Sequence, residues 1–289
     1  MTFGGRSELG ALAKADIEAE VAGGPIPETF ELGLLSDLGT TRSNNEDFCG
    51  HIVEAPDHVV FAVADGVGGY EGGEVASKMA VEITLQAYGE SPREWGASKR
   101  LHRAVQRANI EVYNFASTVP ELRRMATTLT AVAIENGVLN ATHIGDCRLY
   151  LLRGGKITQL SKDHTVVGER VRMGLMTEER AKNHPDRSAL MRSLGRELIV
   201  SIDRITIALR KDDEVILCSD GLYNTVESHE LVSWTREFPV QEGCEKLIRN
   251  ANQRGTHDNL TVAIFKQVAA TPETPPSGLL GRLRSLFSR

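Results

Sequence analysis

Four aspartates, Asp65, Asp146, Asp220 and Asp258, each stand where an apolar, strand-prone run meets a turn, beside glycine or asparagine. The run from His58 to Ala64 reads as a buried strand that Asp65 closes, and glycines follow at 66, 68, 69, 72 and 73. Glu214 to Ser219 is a second such run and ends in Asp220-Gly221. Ala141-Thr142-His143-Ile144-Gly145 leads into Asp146, and Thr256-His257-Asp258-Asn259 opens the run Leu260 to Phe265. A carboxylate at the end of a rigid strand is fixed in place, and neighbouring glycines let backbone groups approach whatever it binds. One such Asp-Gly after a strand could equally cap the next helix. Four of them can converge on one edge of a packed structure, where two unit charges at about 4 Å oppose each other by about 4 kcal/mol at an effective dielectric near 20. Divalent cations would neutralise the set, and all-oxygen donors suit hard ions such as Mg²⁺ or Mn²⁺.

The chain that must position these groups has 289 residues, enough for one large domain or two small ones. Its 41% apolar and 25% charged content is that of a soluble globular protein, and a net charge of −6 argues against a broad nucleic-acid-binding surface. Cys49, Cys147, Cys218 and Cys244 show neither close pairing nor zinc-ligand spacing, and Cys147 and Cys218 read as small buried hydrophobes in a reducing compartment. There is no apolar run long enough to span a membrane, and Asp16, Glu18 and Glu20 interrupt any signal-peptide core. A cytoplasmic protein is expected.

Residues 1–29 read as an N-terminal extension, with a helix over Glu8 to Val21 broken by Gly23-Gly24-Pro25. A domain follows over 30–268. It opens on an edge strand from Phe30 to Asp37, a polar turn through Asp47, and an extended run from Phe48 to Val53. Apolar residues at helical spacing predict helices over Gly73–Tyr88 and Ala97–Ala116. A meander is expected next: Met125–Ile134, a hairpin turn at Asn136-Gly137, Val138–Ile144, Arg148–Leu152, a Gly154-Gly155 turn and Ile157–Leu160. The polar stretch 161–198 reads as a mobile flap with one or two short helices. Strands near Ile202–Ala208 and Glu214–Ser219, helices near Ser228–Glu237 and Val240–Gln253, and a last strand from Leu260 to Val268 complete the domain. The order predicts an α+β fold, two mainly antiparallel β-sheets packed as a sandwich and flanked by pairs of helices. Residues 269–289 are a Pro-rich linker and a short basic amphipathic tail. Its 279–287 segment would suit a weak contact with a membrane surface or partner groove, whereas Gly278 and Gly281 favour a frayed end.

The sequence resembles the PPM (PP2C-type) metal-dependent serine/threonine protein phosphatases in their bacterial form. Arg42-Ser43-Asn44-Asn45-Glu46-Asp47, Asp65-Gly66-Val67-Gly68-Gly69, Thr127-Thr128, Gly145-Asp146-Cys147-Arg148, Asp163-His164, Ser193-Leu194-Gly195, Ser219-Asp220-Gly221-Leu222 and Asp258-Asn259-Leu260-Thr261 carry the resemblance. They occur in the family's order over roughly 33–267, and the ordered set is far more specific than any member of it. The resemblance implies that Asp65 bridges two metals and the Gly66 carbonyl binds one, with Asp220 and Asp258 as further ligands. Glu46 would orient waters on the metals, supported by Asp47, and Asp146 with Asp220 would form a weaker third site. It also implies that Arg42 grips the phosphoryl oxygens while a water activated by two Mn²⁺ or Mg²⁺ ions attacks phosphorus in line, with no covalent phosphoenzyme. Implied partners are phosphorylated proteins and an opposing Ser/Thr kinase. Arg148 is expected in an internal salt bridge, Asp163 and His164 in fixing a loop, and Thr127 and Thr128 beneath the site.

One departure concerns the leaving group. The family places a histidine, the candidate general acid, two residues after the bridging aspartate in eukaryotic members and commonly five after it in bacterial ones; here those positions are Val67 and Tyr70. Tyr70 could replace the acid, could only contact substrate, or could leave the task to a water; its unperturbed pKa near 10 makes it the weaker donor. A dinucleotide-binding module fits poorly, because Glu71 occupies the sixth position of the Gly-rich pattern and Asp65 would repel a pyrophosphate. A catalytically impaired PP2C-like regulatory or binding module should have lost metal aspartates, and all four are present.

Overall fold

A computed structural model of the chain describes residues 26–67 and 72–268. The expected helix over Glu8–Val21, the residue Tyr70 and the tail at 269–289 lie outside the described residues. Ten strands form two five-stranded sheets in which every pairing is antiparallel. One sheet has the order β2 (Asp47–Ala55), β3 (His58–Asp65), β4 (Leu129–Glu135), β5 (Val138–Ile144), β8 (Asp203–Ala208). The other has the order β1 (Phe30–Asp37), β10 (Leu260–Gln267), β9 (Glu214–Cys218), β6 (Arg148–Arg153), β7 (Lys156–Gln159).

Alternation along β3 shows why the sheets stack. Val59, Phe61 and Val63 join a core between the sheets with Phe30, Leu149, Leu217 and Phe265, and the Phe61 and Phe265 rings stack at 6.3 Å. Val60, Ala62 and Ala64 face the other way, onto the pair α1 (Gly73–Glu90) and α2 (Ala97–Thr118). The outer face of the second sheet, with Ile216, Val262 and Ile264, is covered by α7 (Val240–Gln253), which packs beside α6 (Ser228–Glu237). A strand buried on both faces is apolar through its interior, and β3 is so from Val59 to Ala64. Asn136 and Gly137 both take positive φ, 51° and 70°, as a tight hairpin requires.

The segment between β7 and β8 carries two short helices, α3 (Val166–Arg172) and α4 (Glu178–Lys182). Its base is closed by Val166 N donating to Ala189 O at 2.9 Å and Met191 N donating to His164 O at 2.7 Å. One expectation needs correction. The strand predicted from Met125 begins at Leu129, because the backbone of Thr127 bridges Gly66 and Leu194 instead of joining the ladder. A one-turn helix, α5 (Asp220–Tyr223), to which the sequence reading assigned no element, follows β9.

Candidate active site

Antiparallel pairing places the C-terminal ends of β3, β5 and β9 beside the N-terminal ends of β2, β4, β6 and β10. Asp65 closes β3 opposite Asp47, the first residue of β2. Asp146 lies in the turn between β5 and β6, Asp220 opens α5 directly after β9, and Asp258 precedes β10. The predicted carboxylates therefore meet at one end of the sandwich and share one electrostatic field. Burial, then Asp47, Asp220, Asp146 and Asp258, push the Asp65 carboxyl well above its ordinary value. Burial, then Asp220 and Asp163, do the same to Asp146. Asp220 is pushed up to about 6, by burial and then Asp258, and Asp47 to about 7, chiefly by burial. Burial and the neighbouring Glu74 raise Glu46.

Local contacts explain the small and amide residues around these acids. A Cβ on Gly66 would lie 2.4 Å from the Gly73 carbonyl oxygen and 2.7 Å from that of Glu46, so the backbone after Asp65 can pass only as glycine. A Cβ on Gly221 would lie 2.1 Å from the Asn259 carbonyl oxygen, which is why Asp220 is followed by glycine. Thr128 Oγ1 accepts from Asp65 N at 2.9 Å, and Thr127 Oγ1 donates to Asp65 O at 2.9 Å, so both threonines underpin the first carboxylate. Asp47 is 6% exposed and accepts from Ser219 Oγ at 2.7 Å, which ties the start of β2 to the end of β9.

Asn259 fixes the loop that carries Arg42 and Glu46. Its side-chain amide donates to Leu38 O at 2.9 Å and Asn44 O at 3.0 Å, while its Oδ1 accepts from Glu46 N at 2.9 Å. Arg42 donates through Nη2 to Asp258 at 2.9 Å and through Nε to the His257 carbonyl at 3.3 Å. Its guanidinium thus stands at the rim of the acidic cluster. Arg148 makes its internal bridge to Asp163 at 2.7 Å and lies 3.7 Å from the Tyr223 ring centre. His164 Nδ1 accepts from Gly145 N at 3.1 Å, so it steadies the turn that holds Asp146. Sequence reading assigned no task to Ser219 or Asn259, whose partners lie in distant segments; the only signal was their position beside Asp220 and Asp258. It also missed Arg187 of the β7–β8 segment, whose charge lowers the Asp220 pKa against the rise from burial.

The donor chemistry fits divalent cations. Asp65, Asp146, Asp220, Asp258 and Glu46 supply only oxygen, and Asp65 stands among four carboxylates with an unfavourable like-charge field. Among the described residues no three His, Cys, Asp or Glu side chains form a closed metal cage, so the donors share a region without preset coordination. Asp258, moreover, already has Arg42 as a counter-charge.

Comparison with known proteins places these residues in context. A family model described as Protein phosphatase 2C matches residues 40–262. The chain is 34% identical over 249 residues to the protein phosphatase PhpP of Streptococcus pneumoniae, covering 81% of this chain and 96% of that one. The crystal structure of the Mycobacterium tuberculosis serine/threonine phosphatase PstP/Ppp aligns with a TM-score of 0.75 at 34% identity, covering 83% of this chain and 99% of that one. A PstP catalytic domain in complex with 2 manganese ions aligns with a TM-score of 0.74 at 32% identity, covering 83% and 99% of the two chains.

Proposed function

From the premise that this chain belongs to the protein phosphatase 2C family and is a serine/threonine protein phosphatase, we propose how its own residues carry out the hydrolysis. Asp65, Asp220 and Asp258, with the Gly66 carbonyl, hold two core divalent cations, Mn²⁺ or Mg²⁺. Glu46 orients the waters around them, and Asp146 with Asp220 holds a weaker third ion. The structural neighbour with two manganese ions supports the core pair. Cations bound there supply Lewis-acid activation of a water nucleophile and neutralise charge on the phosphoryl oxygens. Arg42 turns from Asp258 to the phosphoryl group, where its planar fork matches two oxygens. Thr127, Thr128 and Ser219 keep Asp65 and Asp47 from moving as charge shifts.

The substrates are phosphoserine and phosphothreonine in proteins, and a Ser/Thr kinase is the opposing activity. The buried thiols Cys147, Cys218 and Cys244, none in a disulfide, support a reducing, cytoplasmic setting. Among the described residues no helix is long and apolar enough to cross a membrane.

The observation that carries this reading is the convergence of the strand ends bearing Asp65, Asp146, Asp220 and Asp258 at one end of the sandwich, with Arg42 held against Asp258 at 2.9 Å. Hydrolysis of p-nitrophenyl phosphate and of phosphothreonine peptides should require Mn²⁺ or Mg²⁺ and disappear with a chelator. Asp65→Asn and Asp220→Asn should each leave below a few per cent of the rate at saturating Mn²⁺. Substantial turnover by either variant would sink the ligand assignment, and an inactive but metal-binding wild-type chain would point to a regulatory module.

A further inference from the structure

Beside the edge strand β8, between the start of α2 and the residues that follow β7, lies a cleft of about 790 Å³. It is lined by Ser98, Leu160, Lys162, Arg204 and Ile205, and none of the catalytic carboxylates borders it. Its one acidic lining residue is already engaged: Asp203 accepts from Arg192 Nη1 at 2.9 Å and faces His164 Nε2 at 3.3 Å. Among the described residues neither Lys162 nor Arg204 has a carboxylate partner.

Helix α2 adds to this positive field. It starts behind Gly96, which has no side chain to cap it, and has no acidic residue in its first turn. The positive end of a 22-residue helix therefore has no counter-charge in its own first turn beside Ser98.

We propose that this cleft binds a phosphate group carried by a small molecule, at a site separate from the catalytic centre. A tetrahedral dianion matches what the cleft offers: a helix N-terminus, a hydroxyl, an ammonium and a guanidinium. The volume exceeds what bare phosphate needs and lies in the range of small-molecule sites, and Leu160, Ile202 and Ile205 give an organic portion an apolar wall. Occupancy would be felt at the catalytic end, because Asp203 contacts His164 and His164 accepts from Gly145 N beside Asp146.

The test is an amide NMR titration of the full-length, Mg²⁺-supplied chain with inorganic phosphate and, separately, with adenosine 5′-phosphorothioate, a slowly hydrolysed nucleotide. Saturable shifts should appear at Ser98, Lys162 and Arg204–Thr206. They should persist in Arg42→Ala, which removes the catalytic grip. They should weaken by about tenfold or more, equivalent to about 1.4 kcal/mol, in Lys162→Gln/Arg204→Gln, whose side chains are exposed. Tighter binding of the nucleotide than of phosphate identifies an organic phosphate as the ligand class, and equal binding identifies free phosphate. Shifts confined to the surroundings of Arg42, Glu46 and Asp258, or unchanged by the double substitution, would overturn the proposal without touching the phosphatase reading.

Discussion

At the scale of single residues the site is a balance of like charges. Arg42 makes a direct contact to a proposed ligand, Asp258, at 2.9 Å. In the role proposed for Arg42, phosphate binding would exchange one anion for another at a guanidinium already held at the rim of the site. Arg42→Ala should therefore raise KM, with a smaller fall in kcat, in steady-state assays on a phosphothreonine peptide. A fall in kcat at constant KM would show that the guanidinium grips only the transition state. The leaving group sets a second expectation. Serine alkoxide needs a proton and p-nitrophenolate hardly does, so Tyr70→Phe should be nearly silent on both substrates if a water is the acid. A loss of about tenfold or more confined to the peptide would assign the proton to Tyr70. Much of this scale was legible in the sequence, because Asp65, Asp146, Asp220 and Asp258 each close or open an apolar run. What was not legible is the support: Ser219 reaches Asp47 across 172 positions and Asn259 reaches Glu46 across 213, and no local pattern encodes such pairings.

At the scale of elements, position follows from which strand ends meet. The sequence reading foresaw β3, the β4–β5 hairpin and both helix pairs, since each has its own periodicity or turn signature. It extended β4 back to Met125 because Thr127 and Thr128 are good strand residues; in the structure their backbone and hydroxyls serve Asp65 instead. The stretch between β7 and β8 has weak periodicity because its helices are short and mostly exposed. It presents Met173, Leu175, Met191 and Ile199 to solvent, with Leu175 73% and Ile199 84% exposed. Such apolar side chains suit contact with a protein surface and are of no use to a small aryl phosphate. Shortening the segment between Val166 and Ala189 should lower turnover of phosphoproteins and phosphopeptides while sparing p-nitrophenyl phosphate. Equal loss on both substrates would make the segment a structural brace.

At the scale of the whole molecule, stability and metal binding are linked through pH. Folding raises Asp220 to about 6 and Asp47 to about 7, mainly by burial, against an unfolded value of about 3.9. A raised carboxyl pKa favours the protonated folded state, so this contribution is fully present below about pH 4 and is lost as pH rises through 6 and 7. The chelator-treated chain should accordingly lose Tm between pH 5 and 8, and Mn²⁺ should restore it most strongly at the upper end, where the ligands are ionised. A metal-free Tm that rises over that interval would contradict the shared-field description. The same antiparallel plan has a consequence for attachment. Phe30, at the start of β1, pairs with Gln267, at the end of β10, so both ends of the domain leave together from the pole opposite the carboxylates. A tag, bead or surface linker joined directly before Phe30 or directly after Gln267 would hold the domain by its back and turn the proposed catalytic mouth outward, and immobilisation from the two points should preserve access for large phosphoproteins equally well.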